Sequence, residues 1–207
     1  MKSNEQDIQS ILQQISDVLL VNGGFLSNPG LYSGEMGLVL FFAHYARYTR
    51  NDIYLEYAYG LMEKLQERIH QETPINYKQG LAGIGSAIEY LVQNSFFEAD
   101  TDEILEDFDS RIFFTYNLPY LSIDKIMDVG YYAFWRLSGN SMKKDFIRQT
   151  ILPQIVQKCD NNKNTPLGFI SLLKMIAEHK TSSIIPALNK LCRETMPIEK
   201  ITAFVKI

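Results

Sequence analysis

Three glycine dipeptides at one spacing constrain this chain most. Gly30-Leu31, Gly80-Leu81 and Gly130-Tyr131 stand 50 residues apart, and each precedes or opens an apolar segment that is followed by an amphipathic one. A recurrence of that length marks a repeat architecture. One pair of helices cannot bury its own apolar face, so neighbouring pairs must stack. The apolar helices are then expected in an inner layer and the amphipathic ones in an outer layer.

The helical pattern predicts the elements themselves. Ile8, Ile11, Leu12, Ile15, Val18 and Leu19 follow a three-and-four spacing that predicts a first helix with one buried face. Gly34 to about Arg50 is apolar nearly all round, so that helix should be covered on most sides. Ile53, Tyr57, Leu61, Leu65 and Ile69 return to one face, with Glu63, Lys64, Glu67 and Arg68 on the solvent side and Asn51 or Asp52 as the cap. Gly80 to Val92 is apolar again, and the acidic run from Asp100 to Asp109 reads as a solvated helix capped by Asp100, burying Ile104, Leu105, Phe108 and Ile112. A compact aromatic segment follows from Asp128 to Leu137. An amphipathic one then runs from Ser141 to Lys158, burying Phe146, Ile147, Ile151, Ile155 and Val156, and Pro153 should kink or divide it. A fourth pair opens at Thr165-Pro166 and continues from Ser182 to Leu191.

The expected fold is therefore all-α, a single domain over residues 1–207 with repeats opening near 30, 80, 130 and 165. The helical hairpins should curve into an α/α toroid, as an incomplete ring or arc. At 207 residues roughly 70% of the unfolded chain's surface can be buried, so no disulfide or structural metal is needed for a core.

Composition removes several functions. The 20 Lys and Arg against 24 Asp and Glu give a net charge of −4 with the signs interspersed, which lacks the electrostatic footprint of a nucleic-acid or anionic-membrane binder. The most apolar stretch, Met36 to Ala43, is far short of the roughly 20 residues needed to cross a bilayer. No signal peptide is legible at the N-terminus, and Cys159 and Cys192 show neither CxxC nor Cys/His ligand spacing, so a cytoplasmic protein with reduced thiols is expected. Gly80 to Gly85 lacks the preceding strand and following Lys-Ser or Lys-Thr of a phosphate loop. No cofactor and no metal site are expected.

The runs Gly30-Leu-Tyr-Ser-Gly34-Glu-Met-Gly37-Leu and Gly80-Leu-Ala-Gly83-Ile-Gly85-Ser-Ala-Ile-Glu resemble the glycine motifs that open inner helices in lanthionine synthetase C-like proteins. The resemblance is most specific over residues 30–110. It implies an α/α toroid and, for the synthetases of the family, zinc held by two cysteines and a histidine, which activates a peptide cysteine for addition to a dehydrated Ser or Thr. Neither Cys159 nor Cys192 stands in the family's Cys-His-Gly motif.

The leading expectation is thus a short family member that binds rather than cyclises, as an accessory component acting on a peptide substrate or protein partner. The open ends of an arc would favour a homo-oligomer or a covering partner. An enzyme acting on carbohydrate through an acid pair or His44 is the alternative, with Glu35, His44 and Asp128 as candidate catalytic groups. A purely structural scaffold is the third reading. Tyr32, Glu35, His44, Tyr131 and Trp135 are the candidate binding residues. Glu35, Glu89 and Asp128 are read as acids near the starts of inner helices, and at Glu35 and Asp128 the helix dipole would favour an acid. His70 and His179 are read as C-terminal dipole partners.

Overall fold

The computed structural model describes residues 2–114, 118–163, 165, 166, 169 and 173. Apart from Phe169 and Leu173, the fourth pair beyond Pro166, with His179, Pro186, Cys192 and the tail from Ile201, lies outside the described residues. All regular structure among the described residues is helical. The chain divides into two compact units, Met1–Glu98 and Ala99–Ile207.

The first unit holds α1 (Lys2–Asn22), a 3₁₀ turn (Gly23–Phe25), α2 (Glu35–Thr49), α3 (Ile53–Arg68) and α4 (Leu81–Gln93). Helices α2 and α3 fold back on each other across three residues. Phe42 is fully buried between them, edge-on to Tyr57 at 4.7 Å and stacked on Tyr54 at 6.2 Å. At their junction Arg50 takes a left-handed conformation, φ 54°, and ends α2 by donating its N–H to the Ala46 carbonyl. Asn51, rather than Asp52, supplies the side-chain cap of α3, its Oδ1 accepting from the Ile53 N–H at 3.2 Å. As expected for apolar helices, α2 buries Met36, Val39, Phe42 and Ala43, and α4 buries Leu81, Ile84, Ile88 and Leu91. Each such aliphatic side chain contributes about 1.5–3 kcal/mol on burial.

The two glycine loops are built alike. Ahead of α2, the Asn28 and Pro29 carbonyls accept from the Glu35 and Met36 N–H groups. Ahead of α4, the Pro74 and Ile75 carbonyls accept from Leu81 and Ala82. In both loops the bond spans seven residues, so the free N–H groups of the first turn are satisfied by the preceding loop. Gly34 and Gly80 are the two extended N-cap residues, 46 residues apart. Gly37 and Gly83, in the first turns, press against the Leu31 and Tyr77 carbonyls respectively. The folded repeat is therefore 46 residues long over these two units of pattern, in the register of Gly34-x-x-Gly37 and Gly80-x-x-Gly83. The 50-residue spacing of Gly30 and Gly80 does not pair equivalent positions. Gly30 instead packs on the Gln79 backbone, and Tyr32 donates its N–H to the Lys78 carbonyl at 2.7 Å, locking one loop to the next.

Helix α1 corrects the expectation of a buried face. Ile8, Ile11, Ile15 and Val18 are 56%, 55%, 42% and 58% exposed, while the buried position is Ser16, flanked by half-buried Leu12 and Leu19. Gln13 fixes this rotation by accepting a 2.9 Å hydrogen bond from the Tyr45 hydroxyl of α2.

The second unit holds α5 (Thr101–Ile104), α6 (Glu106–Asp109), a π turn (Ser110–Phe114), a 3₁₀ turn (Leu118–Tyr120), α7 (Ile123–Ser138), α8 (Lys144–Phe146), a second π turn (Ile147–Ile151) and α9 (Leu152–Asp160). Asp100 caps α5 as expected, accepting from the Asp102 and Glu103 N–H groups. Pro153 divides its helix: the wide turn at Ile147–Ile151 ends beside the position where the proline ring removes a backbone donor. Ile147, Ile151 and Ile155 are buried, with Phe146 and Val156 half-buried.

Three expectations change in this unit. The acidic run is not wholly solvated, because Asp109 is fully buried and Asp102 nearly so, both paired with the fully buried Arg136 of α7. Arg136 reaches Asp109 Oδ2 at 2.9 Å, and the Tyr132 hydroxyl donates to Asp109 Oδ1 at 2.7 Å. Ile104, on the predicted buried face, is exposed. Helix α7 starts at Ile123, so Gly130 and Asp128 lie inside it rather than at its opening. Gly130 there meets the ring of Phe169.

Candidate functional site

In the first unit the loop before α2, the end of α3 and the turn before α4 enclose an open cleft of about 470 Å³. Ser27, Asn28 and Pro29 form one wall, Glu67 and Arg68 the end of α3, and His70, Glu72, Thr73, Pro74 and Gln79 the far side. The chain folds this way because the loops on both sides serve as helix caps. Their carbonyls are spent on the first turns of α2 and α4, and the polar side chains of the same loops face the cleft. Asn28 is held by accepting from the Gly30 N–H at 2.9 Å. Thr73 Oγ1 accepts from the His70 N–H at 3.0 Å, and the His70 ring stands 3.2 Å from the Glu72 carboxylate.

Arg68 links the cleft to the core. Its guanidinium donates to the Leu26 carbonyl and lies 2.9 Å from Glu35 Oε1. Glu35 opens α2, where the helix dipole favours an acid, yet it is fully buried and neither carboxylate oxygen has a well-aligned hydrogen-bond donor. Burial therefore pushes the Glu35 carboxyl above its ordinary value, against the opposing pull of Arg68 and, more weakly, Lys64. The arrangement offers an open groove of mixed charge: two carboxylates, one guanidinium, an imidazole and the side-chain amides of Asn28 and Gln79.

The predicted site residues are distributed differently. Glu35 is behind the cleft, reached through Arg68. His44 lies nine residues further along α2, roughly 13 Å along the helix axis, and belongs to a separate cluster. There its Nε2 is 2.8 Å from the Tyr90 hydroxyl, its ring packs edge-on to Phe96 at 4.8 Å, and Arg47 stacks over that same Phe96 at 3.5 Å. Partial burial and then the Arg47 charge lower the His44 pKa. Tyr32 is exposed beside the interlocked loops, and Glu89 is buried on α4 beside Gln93. Asp128, Tyr131 and Trp135 all lie on α7 in the second unit, where Tyr131 packs on Phe169 and Trp135 on Phe134. Arg68 and His70 line the cleft, where the sequence predicts a solvent-facing cation and a dipole partner. The signal for Arg68 is its place at the end of α3, opposite Glu35 at the start of α2, once the two helices are known to be antiparallel.

The glycine loops, the buried α2 and α4, and the cleft all fall within one stretch of sequence. Residues 26–117 match the family of lanthionine synthetase C-like proteins. This lanthionine synthetase C-like stretch covers under half of the chain and contains every residue that lines the cleft. Comparison with curated proteins and with solved structures returns no match.

The zinc that the family's synthetases hold does not fit the residues seen here. Among the described residues no three His, Cys, Asp or Glu side chains could hold a metal ion. Cys159 is a free thiol buried on α9, and that burial pushes its pKa up to about 11, the reverse of the shift that makes a thiolate ligand. Among the described residues no helix is long and apolar enough to cross a membrane.

Proposed function

We propose that this chain is a binding or accessory member of the lanthionine synthetase C-like family that holds a peptide segment in the cleft between the two glycine loops. The mixed-charge lining of that cleft carries the reading. Asn28 and Gln79 can pair with backbone amides of an extended segment, Glu67 and Glu72 with a basic side chain, and Arg68 with a carboxylate. The α/α toroid of the family is the proposed architecture, supported by the alternation of apolar α2 and α4 with one-sided α3. A cytoplasmic setting, where unmodified peptides are made, agrees with the absence of any spanning helix among the described residues.

The test is selection of binders from a random peptide display library on the purified chain, followed by calorimetry with the selected peptides. Peptides that bind the wild-type chain and lose at least tenfold in affinity on both Glu67→Gln and Asn28→Ala support the cleft as their site. Peptides that bind both variants unchanged, or a selection that yields none, would overturn it.

A further inference from the structure

We infer that the cleft anchors its ligand by a carboxylate seated on Arg68, and that Glu35 takes up a proton as that carboxylate arrives. The inference rests on the cleft being the binding site, and adds the chemical class of the group that anchors there. Arginine has five N–H donors, and Arg68 spends those of Nη1 inward, on the Leu26 carbonyl and on Glu35 Oε1 at 2.9 Å. Among the described residues nothing accepts from its Nε or Nη2, and neither atom is shut away from solvent. That edge of the guanidinium is a fork that can meet both oxygens of one carboxylate. With the side chain 37% exposed and lining the cleft, the fork is open to a ligand while its other end is already fixed. Fixing it in advance lowers the ordering cost of binding.

A carboxylate fits this site better than a phosphate dianion does. Glu67 and Glu72 line the same cleft and Glu35 lies behind Arg68, so a second negative charge on the ligand would only add repulsion. Glu35 is the group that responds to the ligand. It is fully buried, neither of its oxygens has an aligned donor, and its counter-charges are Arg68 and, more weakly, Lys64, both on α3. Residues 22–34, the loop ahead of it, carry no charged side chain, and the segment before α4 adds His70, Glu72 and Lys78, of which the first two line the cleft. A carboxylate on the outer edge of Arg68 draws on the same positive charge and brings a negative one closer to Glu35. Both effects tighten the hold of Glu35 on a proton. Binding therefore strengthens as pH falls through the range in which Glu35 ionises, and this contribution levels off once Glu35 is neutral with and without ligand.

The test is an NMR titration of the full chain, with carbon-13 in its glutamate carboxyls, from mildly acidic to neutral pH. The probes are acetyl-glycyl-glycine, its C-terminal amide and inorganic phosphate. The free acid should bind, shift the Arg68 Nε–H signal and move the Glu35 carboxyl signal toward its protonated position, while the amide and phosphate bind at least tenfold more weakly. Arg68→Lys, which keeps the charge and loses the fork, should cost at least tenfold. Glu35→Gln removes the competitor for Arg68, so at neutral pH it should bind the free acid more tightly than wild type. No binding of the free acid at tens of millimolar, equal binding of the amide or phosphate, a Glu35 signal that stays put, or weaker binding by Glu35→Gln would each overturn the inference. Selected peptides that need Asn28 and Glu67 but are indifferent to Arg68→Lys would refute it and leave the peptide-binding reading standing. Binding of the free acid on Arg68, in a chain that selects no peptides, would do the reverse.

Discussion

The Arg68 guanidinium lies 2.9 Å from the Glu35 carboxylate, joining the last turn of α3 to the first turn of α2. It is the counter-charge that a fully buried acid requires, and its other face lines the cleft. The same arginine thus couples core stability to the candidate site.

That pair has a definite pH signature. Because burial raises the Glu35 carboxyl above 4.5, the folded protein binds this proton more tightly than the unfolded chain does. Below the unfolded value Glu35 is neutral in both states and imposes no penalty, and as pH rises through the folded value its ionisation destabilises the fold. Glu35→Gln should therefore gain stability relative to wild type as pH rises through and above 4.5, read from urea midpoints at each pH. A difference that is flat with pH would refute the raised carboxyl. Arg68→Met, with Glu35 left in place, should cost about 1–2 kcal/mol at neutral pH, less than a fully buried pair because Arg68 is partly exposed.

In the second unit the buried cation makes a stronger case. Arg136 and Asp109 are both fully buried, and Asp102 adds a second carboxylate to the same guanidinium. Arg136→Ala should destabilise by about 3–5 kcal/mol, since it strands the buried Asp109 carboxylate beside Tyr132 and the partly exposed Lys143. Burial would raise the Asp102 carboxyl, but the Met142 N–H, the Ser141 hydroxyl and Arg136 outweigh it and hold Asp102 below 3.8. Its stabilising contribution is complete above that value and is lost as pH falls through the lower folded value. Chemical denaturation of the variant checks the magnitude, and a cost under 1 kcal/mol would contradict the pairing.

The motif glycines can be tested against helix propensity. Gly83→Ala would gain up to about 1 kcal/mol if propensity decided the outcome. The added Cβ would instead collide with the Tyr77 carbonyl, which is backbone and cannot rotate away. A net loss of about 2 kcal/mol or more is expected in thermal or urea unfolding, and a stabilised variant would show that the loop does not press on α4.

At the end of α2 the sign reverses. Arg50 holds a left-handed conformation that glycine adopts without a Cβ penalty. Arg50→Gly should raise stability by about 0.5–1 kcal/mol, measured by the same unfolding curves, with no change in helix content.

The periodicity of apolar residues was sufficient to place α2, α3 and α4, because a helix covered on most sides is apolar nearly all round and a half-buried one displays its period. Pro153 and Asp100 were likewise legible, since a missing donor and a capping carboxylate act within a few residues of the chain. The repeat register was not, because Gly30 and Gly34 are both loop glycines, and only the seven-residue carbonyl caps show that Gly34 matches Gly80. Nor was the cleft, whose walls come from three segments brought together by the α2–α3 hairpin.

What the sequence determined by itself is the helical class, the alternation of apolar and one-sided helices, and a glycine pattern shared with lanthionine synthetase C-like proteins. These follow from local chemistry: spacing, caps and the fit of small residues. Tertiary structure decided which faces are used. It turned the Ile8–Val18 stripe outward through the Gln13–Tyr45 hydrogen bond, and drew Asp109 inward to Arg136. It also set Arg68 on Glu35 at the back of the cleft. Whether an apolar stripe is buried or an acid is solvated depends on what the rest of the chain places opposite it, and a one-dimensional pattern does not contain that distance.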